Sequence, residues 1–375
     1  MNIAYYITAH GFGHGARSCD IIRAIRSSAP GADVFVVTEL AEDFLRSRLD
    51  GDAGIPARRN GTPGTDARPT FFRRAAFDSG MFQLDSIRVD LARSLAAAAE
   101  IQSRRNGLIA REREFLRSEK ITVVCADIPA IPLEAARLEN IPAIAIGNFG
   151  WDWIYEDFIA GEPRWKQIVE SFRDAYSQAD LLLRFPFAEP MAAFPRRVEI
   201  PLVASPGKNR RDEIAKAFGI SAQKKWVLLS FASLDWNAAA LDRVSRLADF
   251  EFFTVMPLAW PERKNLHAVD RGAFSFSDVV ASADIVVSKP GHGILSECCV
   301  NDRPLVYAER TYFREYPVLE TAIRRHLRGV HIPSEKLYAG DLEEFLHAAL
   351  RAPPAREPVS AGGAEIVARE IIARG

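Results

Sequence analysis

Residues 1–28, MNIAYYITAHGFGHGARSCDIIRAIRSS, read as a strand, a glycine-rich turn and a helix in immediate succession. Residues 3–8 form a compact apolar run, and Ile21, Ile22 and Ile25 recur with helical spacing over 16–27. A second apolar run follows at 34–38. Strands written as continuous apolar runs, rather than in alternation, are covered on both faces, as in a parallel sheet. Three glycines in the connecting turn, Gly11, Gly13 and Gly15, allow a tight bend and close approach of a ligand to the backbone. The helix that follows offers unpaired N–H groups and the positive end of its dipole to an anion. This stretch predicts the first βαβ unit of a doubly wound α/β domain.

The alternation continues outward. Residues 50–70 are rich in Gly, Pro and Arg and read as a long loop. Residues 84–118 have helical composition, with an interruption expected at Asn106–Gly107, and 132–139 and 165–178 are further helices. Runs at 121–127, 141–148 and 181–184 are buried strands. From 185 to 208 the pattern breaks into a segment with five prolines and no clean period, the expected crossover between domains. Strand-like runs then resume at 226–231, 250–256, 285–288 and 305–308, and a short helix closes the chain at 363–374. The prediction is two Rossmann-like domains, 1–202 and 203–375, facing across a cleft, with the final helix packing back on the first. Ligands of open α/β sheets bind beyond the carboxyl ends of the strands, which directs attention to the loops there.

The loop after the first strand carries His10 and His14 among its glycines, with Gly13 between them. An imidazole titrates near neutrality, so each histidine can move a proton, hold a phosphate, or simply bond the loop. Gly11-x-Gly13-x-x-Ala16, with Glu39 as a ribose partner, also fits a dinucleotide fingerprint. The loop after 285–288 runs Lys289-Pro290-Gly291-His292-Gly293 into a helix bearing Glu297. There Lys289 can neutralise a diphosphate, and the Glu297 carboxylate can accept two hydrogen bonds from a ribose diol. The competing reading is a capped helix with a solvated glutamate.

On the acceptor side, residues 148–155, NFGWDWIY, follow a buried run. Trp151 can stack on a sugar face and Asp152 can orient or deprotonate a hydroxyl, although core packing competes for both tryptophans of this segment. Asp127 at a strand end and Asp78 are further carboxylates, each equally suited to a cap or turn. Arginines 58, 59, 68, 73 and 74 can meet an anionic acceptor or line a solvated loop.

SKPGHGILSECCVNDRPLVYAERTYFREYP (288–317) resembles the donor-binding signature of GT-B glycosyltransferases: a basic residue, a glycine, a glutamate eight positions on, then a turn and a polar pair. YYITAHGFGHGAR, DSGMFQLD and NFGWDWIYEDF resemble the glycosyltransferase-like proteins related to the N-terminal region of plant L-arabinokinase, with the motif order kept over nearly the whole chain. The resemblance implies a GT-B fold and transfer of a sugar, with inversion, from a nucleoside-diphosphate sugar to a hydroxyl. A UDP-sugar is the expected co-substrate, and the acceptor is a small molecule, a lipid-linked group or a glycan. It places Glu297 on the ribose, Lys289, Gly291, His292 and Gly293 on the diphosphate, and Arg314 and Glu315 near the donor sugar, where relatives carry an Asp-Gln or Gln-Gln pair. Loop 231–237 and residues 274–276 are expected to border the base. His14 matches the histidine of the corresponding loop in the more distant peptidoglycan N-acetylglucosaminyltransferase. A nucleotide-sugar epimerase and a non-catalytic sugar-nucleotide sensor share these features.

The 375 residues are 48% hydrophobic and 26% charged, the balance of a globular enzyme. Lysines and arginines (48) against acids (49) leave a net charge of −1, which gives no bulk electrostatic pull toward nucleic acid or anionic lipid. Cys19, Cys125, Cys298 and Cys299 fit no disulfide framework and no zinc spacing, and reduced thiols suit a cytoplasmic setting. No signal peptide and no transmembrane run is expected. No cluster of hard oxygen ligands stands out, and no catalytic metal or tightly held cofactor is expected.

Overall fold

The computed structural model describes residues 1–50, 70–255, 258, 260–270 and 272–375. Contacts divide the chain into two compact units, Met1–Phe82 with Asp90–Val203 and Gly362–Gly375, and Gln83–Val89 with Ala204–Ala361.

Among the described residues the first unit holds seven strands: β1 (Asn2–Ile7), β2 (Asp33–Val37), β3 (Thr70–Arg73), β4 (Val123–Asp127), β5 (Ala143–Gly147), β6 (Leu181–Arg184) and β7 (Arg197–Glu199). They form one sheet in the order β3-β2-β1-β4-β5-β6-β7, and every pairing is parallel. The second unit holds β8 (Lys225–Ser230), β9 (Phe250–Thr254), β10 (Leu266–Ala268), β11 (Ile285–Ser288), β12 (Leu305–Tyr307) and β13 (Gly329–His331). Their order, β10-β9-β8-β11-β12-β13, repeats the same winding, again all parallel. In each sheet the strand order reverses beside the first strand, between β1 and β4 and between β8 and β11. Those are the topological switch points where open α/β sheets bind ligands.

Each sheet is buried by helices. In the first unit Ile3, Tyr5 and Ile7 of β1 pack with Ile21, Ile22 and Ile25 of helix Phe12–Ser28 and with Val367, Ala368 and Ile371 of the final helix, Gly363–Ile372. The apolar face of that final helix therefore belongs to the core of the first unit. In the second unit Val227, Leu229, Ile285 and Val287 pack with Trp236, Leu241, Leu337 and Leu346. Ile87 belongs to this second core, which explains why 83–89 leaves the first unit.

The helix expected over 84–118 starts late. Asp85 accepts from the backbone N–H groups of Ile87 (2.8 Å) and Arg88 (2.9 Å), a local turn that competes with helix formation. The helix Leu91–Ser103 then begins behind Asp90, whose side chain accepts from the Arg93 N–H at 3.0 Å. Its break falls at Arg104, and Asn106 and Gly107 lie inside the next helix, Arg105–Ser118. Strand β7 lies within the proline-rich segment that sequence reading left without structure. Of the loop expected at 50–70, residues 51–69 lie outside the described residues, Arg58, Arg59 and Arg68 among them.

Candidate active site

At the first switch point β1 and β4 are paired so that Ile7 lies opposite Asp127. Helix Phe12–Ser28 starts directly behind the β1 loop, with Gly13, exposed, and His14 in its first turn. Asp127 is fully buried, and three side chains of that helix converge on it. His14 Nδ1 lies 2.8 Å from Oδ1. Arg17 grips both oxygens, Nε to Oδ2 at 2.6 Å and a terminal nitrogen to Oδ1 at 2.5 Å, and Ser18 Oγ donates to Oδ2 at 3.3 Å. Arg17 also donates to Asn148 Oδ1 and lies over the Phe185 ring, 4.7 Å from its centroid. Burial alone would raise the carboxyl of Asp127, but the charges of Arg17 and then His14 hold it well below the usual carboxylate range. Asp127 is therefore an anion, sealed from solvent and placed to orient the imidazole.

A terminal nitrogen of Arg17 also comes within 3.0 Å of His14 Nδ1. Two ring tautomers compete. With a lone pair on Nδ1, that nitrogen would face a carboxylate oxygen at 2.8 Å, a repulsive contact between two acceptors. With hydrogen on Nδ1 the ring makes a charge-assisted bond to Asp127, and Nε2 carries the basic lone pair. The carboxylate contact is the shorter and the more strongly charged, so the Nδ1–H form prevails.

Asp127, expected on the acceptor side, has no exposed surface, and its contacts run to His14, Arg17 and Ser18. Asp152, expected to be catalytic, is 7% exposed at the start of helix Trp151–Glu156, with Arg173 Nε 3.6 Å away. Burial raises its carboxyl, opposed by the Trp153 N–H and Arg173. The carboxylate bonded to His14 is Asp127. Trp151 is 1% exposed and stacks on Tyr155 at 5.4 Å, with Phe149 and His10 edge-on at 5.1 and 5.0 Å. Its ring packs in the unit's interior rather than standing open to a sugar, because the short helix behind Gly150 turns it inward.

His10 secures the chain at 78–82. Its Nδ1 accepts from the Met81 N–H at 3.1 Å, so this ring carries its hydrogen on Nε2. Gly80 has φ +60°, and a Cβ there would lie 2.5 Å from His10 Nδ1. Thr8 Oγ1 donates to Asp78 at 2.7 Å, and burial, resisted by that bond, pushes the Asp78 carboxyl up to about 6. The acidic and aromatic segment singled out in the sequence is therefore pinned against the β1 loop.

In the second unit Lys289, Gly291, His292 and Gly293 follow β11 and open helix His292–Asn301. Lys289 Nζ sits over the helix start, 3.6 Å from where a Gly291 Cβ would stand. Burial, then the charge of Arg310, push its ammonium down to about 7, against the pull of Glu315. His292 Nε2 lies 2.7 Å from Glu315 Oε1. Glu315 is buried and Arg314 half-buried. Glu297 accepts from Ser277 Oγ at 2.9 Å. Loop 231–237 contributes buried Phe231, Leu234 and Trp236 to the core, and Phe274 is covered by the Arg210 guanidinium at 4.7 Å.

Sequence reading passed over Arg17 and Arg310. Arg17 stands one turn beyond His14, on the same helix face, and that spacing was the available signal. Among the described residues no group of three or more His, Cys, Asp or Glu side chains is placed to hold a metal. The triplet Asp50-Gly51-Asp52 runs beyond the described residues. All four cysteines are free, and no described helix is long and apolar enough to cross a membrane.

This architecture, two doubly wound parallel sheets, is the GT-B fold. Over its full length the chain superposes on the glycotransferase of kitacinnamycin (TM-score 0.60, 15% identity, 98% of that chain). It also superposes on the UDP-GlcNAc 2-epimerase from Neisseria meningitidis bound to UDP-GlcNAc (TM-score 0.60, 13% identity, 100% of both chains). In sequence it is 29% identical to L-arabinokinase of Arabidopsis thaliana over 364 residues, 96% of this chain. The chain spans about a third of that protein's length. No family model matches it.

Proposed function

We propose that the chain is a glycosyltransferase that moves a sugar from a nucleoside-diphosphate donor to a hydroxyl acceptor. The observation that carries this reading is the His14–Asp127 pair at the first switch point. A hydroxyl attacking an anomeric carbon must lose a proton. An imidazole whose Nδ1–H is fixed by a buried carboxylate presents Nε2 as the base for it, and Asp127 stabilises the imidazolium that forms. His14 is then the catalytic residue, and Asp127 and Arg17 are positioning residues. The departing diphosphate needs positive charge, which Lys289 and the start of helix His292–Asn301 supply, with Gly291 and Gly293 allowing close approach and His292 held by Glu315. In this reading Glu297 takes the ribose, Arg314 and Glu315 face the donor sugar, His10 and Gly13 shape the acceptor side, and no metal takes part.

A panel of UDP-, GDP-, dTDP- and ADP-sugars, each with glycan, lipid-linked and small-molecule acceptors, tests this reading. Acceptor-dependent release of the nucleotide, persisting in excess EDTA, is the expected result. Release in no combination, with every donor bound and unchanged, would end the transferase reading in favour of a sensor. The epimerase reading draws support from the superposition on UDP-GlcNAc 2-epimerase. Conversion of a donor without any acceptor would favour it.

A further inference from the structure

Arg310 lies in the loop after β12, beside the loop that follows β11, since Ser288 and Tyr307 are paired at the ends of those strands. It is 6% exposed. Its guanidinium lies on the Phe313 ring, 3.2 Å from the centroid. Nε and one terminal nitrogen are enclosed and have no hydrogen-bond partner among the described residues. Leaving buried donors of a cation unmatched is costly, and folded proteins do so rarely.

The acids that influence it are otherwise engaged. Glu315 is bonded by His292 at 2.7 Å. Asp85 accepts from the Ile87 and Arg88 N–H groups, from the Arg88 side chain at 2.8 Å and from Tyr338 Oη at 2.7 Å. These carboxylates offset part of the charge but bond neither enclosed nitrogen, and Arg310 acts by its charge on the Lys289 ammonium near the N-terminal end of helix His292–Asn301. A planar guanidinium fork matches the two oxygens of a phosphoryl or carboxylate group, which an ammonium does not.

We propose that Arg310 acts with Lys289 to bind an oxyanion of the donor, and that Arg310 supplies the directional, paired contact. The inference rests on the nucleotide-sugar reading for its ligand, but not for the anion site itself. The oxyanion is either a phosphoryl group of the diphosphate or a carboxylate on the sugar.

Calorimetry on the full chain, wild type against Arg310→Gln and Arg310→Lys, tests it with inorganic pyrophosphate, UDP, UMP, UDP-glucose and UDP-glucuronate. Circular dichroism confirms folding, and Arg310→Lys keeps the charge should the glutamine variant fail to fold. For a phosphoryl contact, either substitution weakens pyrophosphate and UDP by about 10–100-fold, the range of one hydrogen bond to a charged group, and UMP by less. For a carboxylate contact, pyrophosphate and UDP hold their affinity, and the preference for UDP-glucuronate over UDP-glucose disappears. Unchanged affinities for all five ligands in a folded variant would overturn the proposal, as would a wild type that binds none of them. A wild type that binds pyrophosphate through Arg310 but no nucleotide would keep the anion site and remove the nucleotide-sugar reading.

Discussion

His14 and Asp127 are 113 residues apart in the chain and 2.8 Å apart in the fold, joined because β1 and β4 are neighbours at the switch point. The pair separates two experiments. His14→Ala removes the imidazole and leaves Arg17 on Asp127, so if His14 is the base, turnover should fall by roughly 10²–10⁴-fold with little change in thermal stability. Asp127→Asn should lower turnover by a similar factor and also destabilise the fold. It leaves Arg17 without its charge partner, a loss of about 3–5 kcal/mol for a buried pair. Because folding lowers the Asp127 pKa, its stabilisation is fully present above the ordinary carboxylate range and is lost progressively as pH falls from there through the depressed folded value. Steady-state kinetics and urea unfolding report the two effects separately. Full turnover in His14→Ala would remove the base from this site.

If Lys289 meets the diphosphate as proposed, nucleotide binding should depend on pH. Its ammonium is pushed down to about 7, so above that value the native side chain is mostly neutral, whereas the unfolded chain keeps its proton to about 10.4. Between these values the unfolded state binds more protons, and this residue makes stability rise with pH. A bound diphosphate favours the charged form. Binding of UDP at pH 8 should therefore take up protons, and affinity should fall as pH rises from 7 to 9. Calorimetry in buffers of different ionisation enthalpy measures the uptake, and Lys289→Met should abolish it. Wild-type binding without proton uptake would place Lys289 away from the anion.

Gly80 is required by its conformation. At φ +60° an L side chain costs roughly 1–2 kcal/mol, and a Cβ would also press on His10 Nδ1 at 2.5 Å. Gly80→Ala should lower stability by at least that amount in urea unfolding and disturb the contact between His10 and Met81. An alanine variant as stable as wild type would show that the 78–82 segment adopts another path.

The strands legible in the sequence are the central ones, β1, β4, β5, β8 and β11 among them, because both faces are covered and each is built on a run of apolar residues. The strands that reading missed are β3, β7, β10 and β13, and these are the edges of the two sheets. Each is three or four residues long, and β7 is exposed throughout, so no apolar run marks them. The candidate loops were legible because glycines and histidines stand directly after apolar runs. The partner of His14 was not, since Asp127 reaches it only through strand order. Trp151 was ambiguous for a physical reason: an aromatic-rich segment after a buried strand reads the same whether its rings line a surface or fill the interior, and here the ring is buried. Asp85 and Ile87 looked helical, and their attachment to Tyr338 and the second core depends on residues more than 130 positions away.

Glu297 offers the sharpest test of the donor site. Its carboxylate accepts from Ser277 at 2.9 Å and from Asn301 Nδ2 at 3.5 Å, and a carboxylate has about four acceptor positions, so a ribose diol can bond it beside the Ser277 contact. Glu297→Ala should weaken nucleoside-diphosphate binding by about 1.5–3 kcal/mol, the value of hydrogen bonds to a charged group. A weakened site alone does not prove ribose contact, because loss of the Ser277 bond can shift the start of helix Phe276–Ser282. The 2′-deoxy ligand resolves this. Wild type should bind UDP more tightly than 2′-deoxy-UDP, and Glu297→Ala should bind the two alike, since the group that distinguishes them is gone. An equal preference for UDP in both proteins, however weak the variant, would mean that Glu297 holds the helix and not the sugar.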